Sequence, residues 1–290
     1  MRAAKNIDIV NKEILTFGEF EQHPVEAALQ NYTIQQKTGN LGATIEGIDL
    51  NIPDEELITF LKNALDENLV IKIRDQSLDR FGLADLVKKF GTPYIHPIVP
   101  NGYEDCPEVL ELLRKPDDSE LFGGESWHSD VTWMKPIGYV SILHAIDLPD
   151  VGGDTAFSST IAAFEALSSG MKKLLRKQSA VHAFHWRENR EVEPWFCEHP
   201  VVRKHPKTKQ EGLYINRMFT SRFCNMTAEE SAPLLNYLFD HMEEHKFTCR
   251  FEWSLGDVLI WDNRFTLHYP INDFSGQLRR MIRTSALEEI

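Results

Sequence analysis

The chain has 290 residues, 42% of them apolar and 26% charged, with 16 Gly and 14 Pro. This is ordinary globular composition and excludes collagen-like, low-complexity and disordered classes. With 31 Lys and Arg against 44 Asp and Glu the formal charge is −13, a field that repels polyanions and argues against nucleic acid or an anionic membrane as partner.

The N-terminal text MRAAKNIDIVNKEI is polar, and no stretch approaches 18 consecutive apolar residues, so a cytoplasmic protein is expected. Residues 1–39 read as an N-terminal extension and 40–290 as a single domain, without an internal repeat or linker. Self-association into a homo-oligomer is left open. Cys106, Cys197, Cys224 and Cys249 lie far apart with no C-x-x-C, which suggests reduced thiols rather than a zinc ribbon or disulfide framework.

Over 41–91 the pattern alternates. LGATIEGIDL and LVIKIRDQ have strand character, whereas PDEELITFLKNAL and DRFGLADLVKKFG have helical spacing. From 92 to 126 the text is rich in Pro, Gly and Asp and is predicted to be mainly loop. Short strands are then predicted at HSDVTW, GYVSILHAIDL, DTAFSS, SAVHAFHW, HPVVRKHP, GLYINRMF, FTCRFEW, DVLIWDN and RRMIRTSAL. Two helices interrupt them: IAAFEALSSGMKKLLRK behind Thr160, and 228–246 behind the capping box Thr227-x-x-Glu230. Many short strands separated by turn signals favour a sandwich or barrel.

Eleven histidines invite metal hypotheses. From composition, about 1.7 of them have an acid two positions later by chance, and two do: His128-Ser-Asp130 and His241-Met-Glu243. If WHSDVTW is a strand, His128 and Asp130 share a face and reach one ion. On the 228–246 helix, positions i and i+2 point apart. The same helix carries HMEEH (241–245), formally an H-x-x-E-H pattern, but no third ligand is evident, and both histidines read as its solvated flank. The best third ligand for the first pair is His268, just beyond the apolar run DVLIWDN and near a reversal at YPIND. Two histidines and one carboxylate form a facial triad that leaves adjacent positions open on iron(II).

In RRMIRTSAL the strand period places Arg279, Met281, Arg283 and Ser285 on one face. Two guanidinium groups on an apolar-lined face of an acidic protein are costly unless anions meet them.

His128-x-Asp130, Thr155 in GGDTAF, His268 in WDNRFTLH, and then Arg279 and Arg283 resemble, in order and spacing, the taurine dioxygenase and 2,4-D dioxygenase family of iron(II)- and 2-oxoglutarate-dependent oxygenases. LGATIEGIDL, LVIKIRDQ and WHSDVTW support the resemblance, which covers about residues 40–286. It implies a mainly β fold with flanking helices, a double-stranded β-helix or jelly roll of cupin-like type. It also implies His128, Asp130 and His268 as iron ligands, and Thr155 and Arg279 as the contacts to the distal carboxylate of 2-oxoglutarate. Arg283, His96 and the backbone at Val131 are implied as contacts to the anionic head of the primary substrate. The expected reaction consumes dioxygen and 2-oxoglutarate, releases succinate and CO2, and hydroxylates a small organic acid; hydroxylation beside a heteroatom would cleave it. The carboxylate of Asp130 argues against halogenation, because the halogenases of this superfamily carry Ala or Gly there.

GLYINRMFTSRF and PEVLELLRK are closer to the aryloxyalkanoate branch. Val99 and Gly124 stand where the taurine enzymes carry Tyr and Asn, which argues against taurine itself. Phe184, Phe219, Trp127 and Tyr94 are candidate pocket walls, and Asn263 and Arg264 are candidates for orienting the His268 loop. The rival readings are a taurine-type sulfonate dioxygenase, a jelly-roll binding protein with a structural metal, and a zinc hydrolase built on the same three ligands.

Overall fold

The computed structural model describes residues 32–39, 41–96, 102–118, 126–184 and 195–289. In chain order, β1 (Thr33–Gln36) and β2 (Ala43–Glu46) pair, α1 (Glu55–Asn68) leads to β3 (Val70–Ile73), and α2 (Arg80–Lys88) is followed by β4 (Thr92–Pro93), β5 (Gly102–Tyr103), β6 (Cys106–Arg114), β7 (Gly138–Asp147) and β8 (Thr155–Ser159). Then come α3 (Thr160–Ala166), α4 (Ser169–Leu175), β9 (Ser179–Phe184), β10 (Trp195–Pro200), β11 (Val202–Lys204), β12 (Glu211–Leu213), β13 (Thr220–Phe223) and α5 (Ala228–Met242). The last strands are β14 (Thr248–Phe251), β15 (Val258–Asp262), β16 (Thr266–Pro270) and β17 (Arg279–Leu287). Among the described residues, no helix is long and apolar enough to cross a membrane.

The large sheet runs β1-β2-β3-β15-β7-β17-β6-β5, with β4 also on β17; a smaller sheet, β14-β8-β16, faces it. β15 shows why both layers form. It is buried along its whole length, Val258 and Ile260 packing outward beneath α1 and α2, and Leu259 and Trp261 inward against Phe157, Phe251 and Met281. A strand covered on both faces reads as a continuous apolar run rather than an alternation. A third cluster, including Leu235, Leu238, Phe239 and Met242, packs α5 beside Phe164 and Leu213. Together these layers are the expected jelly roll with helices outside.

Four local expectations are corrected. HSDVTW is not a strand: only His128 pairs, in an isolated bridge to His268, and residues 130–133 form a turn. The loop-rich stretch holds the nine-residue β6, whose charged residues Glu108, Glu111 and Arg114 hide an otherwise apolar strand. The helix predicted behind Thr160 is two helices. Ser159 caps the first by accepting from Ala162 N, and Ser168 begins the second by accepting from Met171 N. The last long helix has the predicted capping box but stops at Met242. His241 at its end is buried, not solvated, with its ring nitrogens 2.9 Å from the Ala163 carbonyl and 3.0 Å from Glu244.

Candidate metal centre and substrate pocket

Two backbone hydrogen bonds between His128 and His268, 3.1 and 2.8 Å, bring the turn after β6 onto β16. The Nε2 atoms of both rings lie 3.8 and 3.7 Å from the same oxygen, Oδ1 of Asp130. Candidate ligand atoms of the three residues all fall within 4.8 Å of one another, and all three residues are buried. The predicted pair thus converges through a turn rather than a shared strand face. Val131 completes that turn at φ 48°, a left-handed conformation costly for a β-branched residue and typical of functional sites.

The protonation states suit a cation. Burial chiefly, with Arg283 contributing, holds the His128 imidazole below its usual value; at His268 burial is reinforced by His128. Burial opposes ionisation of Asp130, but Arg283, His268 and His128 outweigh it and keep the carboxyl well below the ordinary range. His128 Nδ1 lies 2.7 Å from the Ser126 carbonyl, which fixes the tautomer that turns the Nε2 lone pair toward Asp130. Two neutral imidazoles and one carboxylate are what a divalent metal requires of its ligands.

Two arginines of β17 sit at different places. Arg283 pairs with Asp130 Oδ2 and lies 3.2 Å from Ser141 Oγ. Arg279 is roughly 13 Å further along the strand, beside Phe274 and the backbone of Gly153. Gly153 has φ +74°, and a Cβ there would stand 3.2 Å from Arg279 Nε. That Nε is buried with no hydrogen-bond partner, and burial, only partly offset by Asp154, lowers the guanidinium to about 10. Thr155 is buried and accepts from Trp253 Nε1 at 3.2 Å, so its own hydroxyl hydrogen is available. A guanidinium whose Nε is buried and unpartnered, set against the Gly153 backbone two residues before Thr155, fits a carboxylate.

A family model described as "Taurine catabolism dioxygenase TauD, TfdA family" matches residues 33–285. The chain belongs to this family. It is a 2-oxoglutarate-dependent dioxygenase, an oxidoreductase using iron(II), 2-oxoglutarate and dioxygen, and its relatives act on small organic molecules. It is 31% identical to an alkylsulfatase of Acinetobacter baylyi, covering 93% of this chain and 88% of the relative. It is 30% identical to an alpha-ketoglutarate-dependent sulfate ester dioxygenase of Pseudomonas putida, covering 94% and 91%. A crystal structure of a taurine dioxygenase from Burkholderia xenovorans superposes with a TM-score of 0.78 at 29% identity, covering 89% of this chain and 90% of that one.

In this TauD/TfdA-family dioxygenase a small cavity opens beside Asp130, lined among others by Tyr94, His96, Val131, Gly138 and Arg283. His96, Val131 and Arg283, the three predicted substrate contacts, therefore share one pocket. Burial, reinforced by Arg283, lowers His96 to about 4, so it is neutral near pH 7. Trp133, Phe184 and Phe219 form an apolar wall with ring centroids 4.5–6.2 Å apart, and Phe219 stands 6.0 Å from the His128 ring. Of the predicted walls, Tyr94, Phe184 and Phe219 join this cluster. Trp127 does not; it packs on Tyr269. Val99 and Gly124 lie outside the described residues.

Sequence reasoning missed Ser141, Trp133, Trp253 and a buried network behind the Asp130 turn. In the network, His182 Nδ1 lies 2.9 Å from Thr132 Oγ1, His199 Nε2 lies 2.9 Å from the Thr132 carbonyl, and Asn216 Nδ2 donates to Thr132 Oγ1 at 3.2 Å. Burial lowers His182 to about 3 and His199 to about 4, and the neighbouring His199 further disfavours charge on His182. Because these values lie below the unfolded value near 6.5, protons bind the unfolded chain preferentially. Stability is therefore complete above pH 6.5 and falls as pH drops from 6.5 toward 4, by up to about 1.4 kcal/mol per pH unit for each histidine. Urea unfolding at pH 7.5, 6.0 and 5.0 is expected to show this slope, and His199→Gln to flatten it. An unchanged midpoint across the series would contradict the assignment.

Proposed function

We propose that His128, Asp130 and His268 hold the iron(II), that Thr155 and Arg279 hold 2-oxoglutarate by its distal carboxylate, and that Arg283, His96 and the Val131 backbone receive the anionic head of the primary substrate. The observation that carries this reading is the approach of both Nε2 atoms to one oxygen of Asp130 beside a pocket that holds Arg283. With 2-oxoglutarate and dioxygen, the bound iron supplies hydroxylation of an unactivated C–H bond, with release of succinate and CO2.

The protein's part is placement. Arg283 is charged and presents a planar fork suited to an oxyanion. His96, kept neutral by burial, offers a hydrogen bond without adding a second charge. The wall of Trp133, Phe184 and Phe219 excludes water and accepts an apolar body. Similarity to an alkylsulfatase and a sulfate ester dioxygenase over nearly the whole chain favours an alkyl sulfate over an aryloxyalkanoate carboxylate. Hydroxylation of the carbon bearing the ester oxygen would give an unstable adduct that releases an aldehyde and sulfate.

The test is substrate-dependent succinate release across an alkyl sulfate, an alkylsulfonate, an aryloxyalkanoate, its neutral methyl ester, and taurine. Alkyl sulfates are expected to give the highest kcat/KM. The parent should prefer the aryloxyalkanoate acid to its ester by at least about tenfold, about 1.4 kcal/mol, and Arg283→Met should abolish that preference. Equal use of acid and ester by the parent, or taurine outperforming every other compound, would overturn the reading.

A further inference from the structure

Asp130 has two carboxylate oxygens, and Oδ1 is the one that the Nε2 atoms of His128 and His268 approach, at 3.8 and 3.7 Å. What occupies Oδ2 follows from a chain of donors whose directions are forced. Asn263 Oδ1 lies 3.0 Å from Trp261 Nε1 and 3.3 Å from the Asp130 backbone N, both of which can only donate. The amide orientation is thereby fixed, and Asn263 Nδ2 must point the other way, where it donates to Ser141 Oγ at 2.7 Å. Arg283 Nη2, also only a donor, reaches the same hydroxyl at 3.2 Å.

A serine hydroxyl has two lone pairs and one hydrogen. With Asn263 and Arg283 directed at the lone pairs, the hydrogen is left for Asp130 Oδ2 at 2.9 Å or Ser285 Oγ at 2.9 Å. The ionised carboxylate is the stronger acceptor. Ser141 is fully buried on β7, the central neighbour of β15 and β17, so this geometry stands on the rigid part of the large sheet.

We infer that Ser141, oriented by Asn263, is a positioning residue that engages the outer oxygen of Asp130, so that this ligand presents Oδ1 to the metal, and that Asn263 acts through Ser141. A carboxylate held in this way would offer the metal one ligand atom rather than two. Because Arg283 shares both Ser141 and Oδ2, the same network joins the proposed substrate contact to the metal ligand. Ser141 is fully buried and acts through Asp130, whereas Asn263 also lines the cavity beside Asp130.

This inference rests on the triad reading, and the experiment separates the two. Fe(II) affinity is measured by titration, and the coordination number of the Co(II)-substituted protein from its visible absorption, for the parent, Ser141→Ala, Ser141→Thr, Asn263→Leu and His268→Ala. Circular dichroism and thermal unfolding first establish that each variant is folded. Ser141→Ala and Asn263→Leu are expected to bind Fe(II) about tenfold more weakly and to show a changed Co(II) spectrum; Ser141→Thr, which keeps the hydroxyl, is expected to restore the parent spectrum. A folded Ser141→Ala with the parent's affinity and spectrum overturns the inference, as does a Ser141→Thr indistinguishable from Ser141→Ala. If His268→Ala retains the full metal content, the triad reading itself falls.

Discussion

Substituting methionine for Arg279 is expected to raise the apparent KM for 2-oxoglutarate by roughly 30- to 4000-fold, the equivalent of about 2–5 kcal/mol for removing one partner of a charged pair in a desolvated site. The magnitude follows from the state of the side chain. Its Nε is out of reach of water and has no partner within the protein, and burial has already lowered the guanidinium toward neutrality. An anion there recovers a desolvation cost that the fold has left open. Gly153 matters to the same site, because any larger residue would press a Cβ on Arg279. Four residues further on, at the middle of the strand, Arg283 has Asp130 and Ser141 as partners, so the two arginines are not interchangeable. Titrating 2-oxoglutarate into the iron-loaded protein, and varying it in succinate assays, separates them: Arg279→Met should bind 2-oxoglutarate poorly and keep the primary substrate, and Arg283→Met the reverse. Equally weakened binding of both molecules in both variants would remove the division of labour.

How far the site could be read from sequence depended on whether a residue's partner lies in a recognisable pattern. His128, Asp130, His268, Thr155, Arg279 and Arg283 were legible because their order and spacing resemble a known family, although the local reason given for the first pair, a shared strand face, is not how the turn brings them together. The alternation in RRMIRTSAL was a sound guide: Met281 faces inward, whereas Arg280 faces Asp147 at 2.9 Å on the other side. Ser141 was invisible because a serine inside GYVSILHAI looks like an interruption of a strand, and its role exists only once Asn263, more than a hundred residues later, arrives beside it. His182 and His199 were illegible for the same reason. Strand β6 was obscured by its own composition: it pairs with β17 and the short β5 near the end of the sheet, and its mixed charged and apolar text lies between Pro-, Gly- and Asp-rich stretches. Positions that act through distant neighbours leave no local periodicity to find.

Arg264 is expected to carry a large stability effect. It is buried, donates through Nε and Nη2 to both oxygens of Asp262, reaches Glu288 at 3.1 Å through Nη1, and lies 4.1 Å from the Tyr139 ring centroid. Although burial alone would lower the guanidinium, Asp262 more than offsets it and raises it above its ordinary value. Removing one member of such a pair strands the other, so Arg264→Met is expected to cost about 3–5 kcal/mol. Asp262 would retain the Arg264 backbone N–H at 2.8 Å and the neighbouring His205, whose imidazole burial keeps from charging readily. The same turn carries Asn263 and feeds β16, so iron affinity should fall with stability. Urea unfolding of the iron-free chain near pH 7.5 gives the number, and a destabilisation below about 1 kcal/mol would contradict the argument. The double variant Asp262→Asn/Arg264→Met identifies the cause. If the destabilisation comes from an uncompensated buried charge, neutralising Asp262 should recover at least half of it; a double variant no more stable than Arg264→Met would place its origin instead in packing against Tyr139.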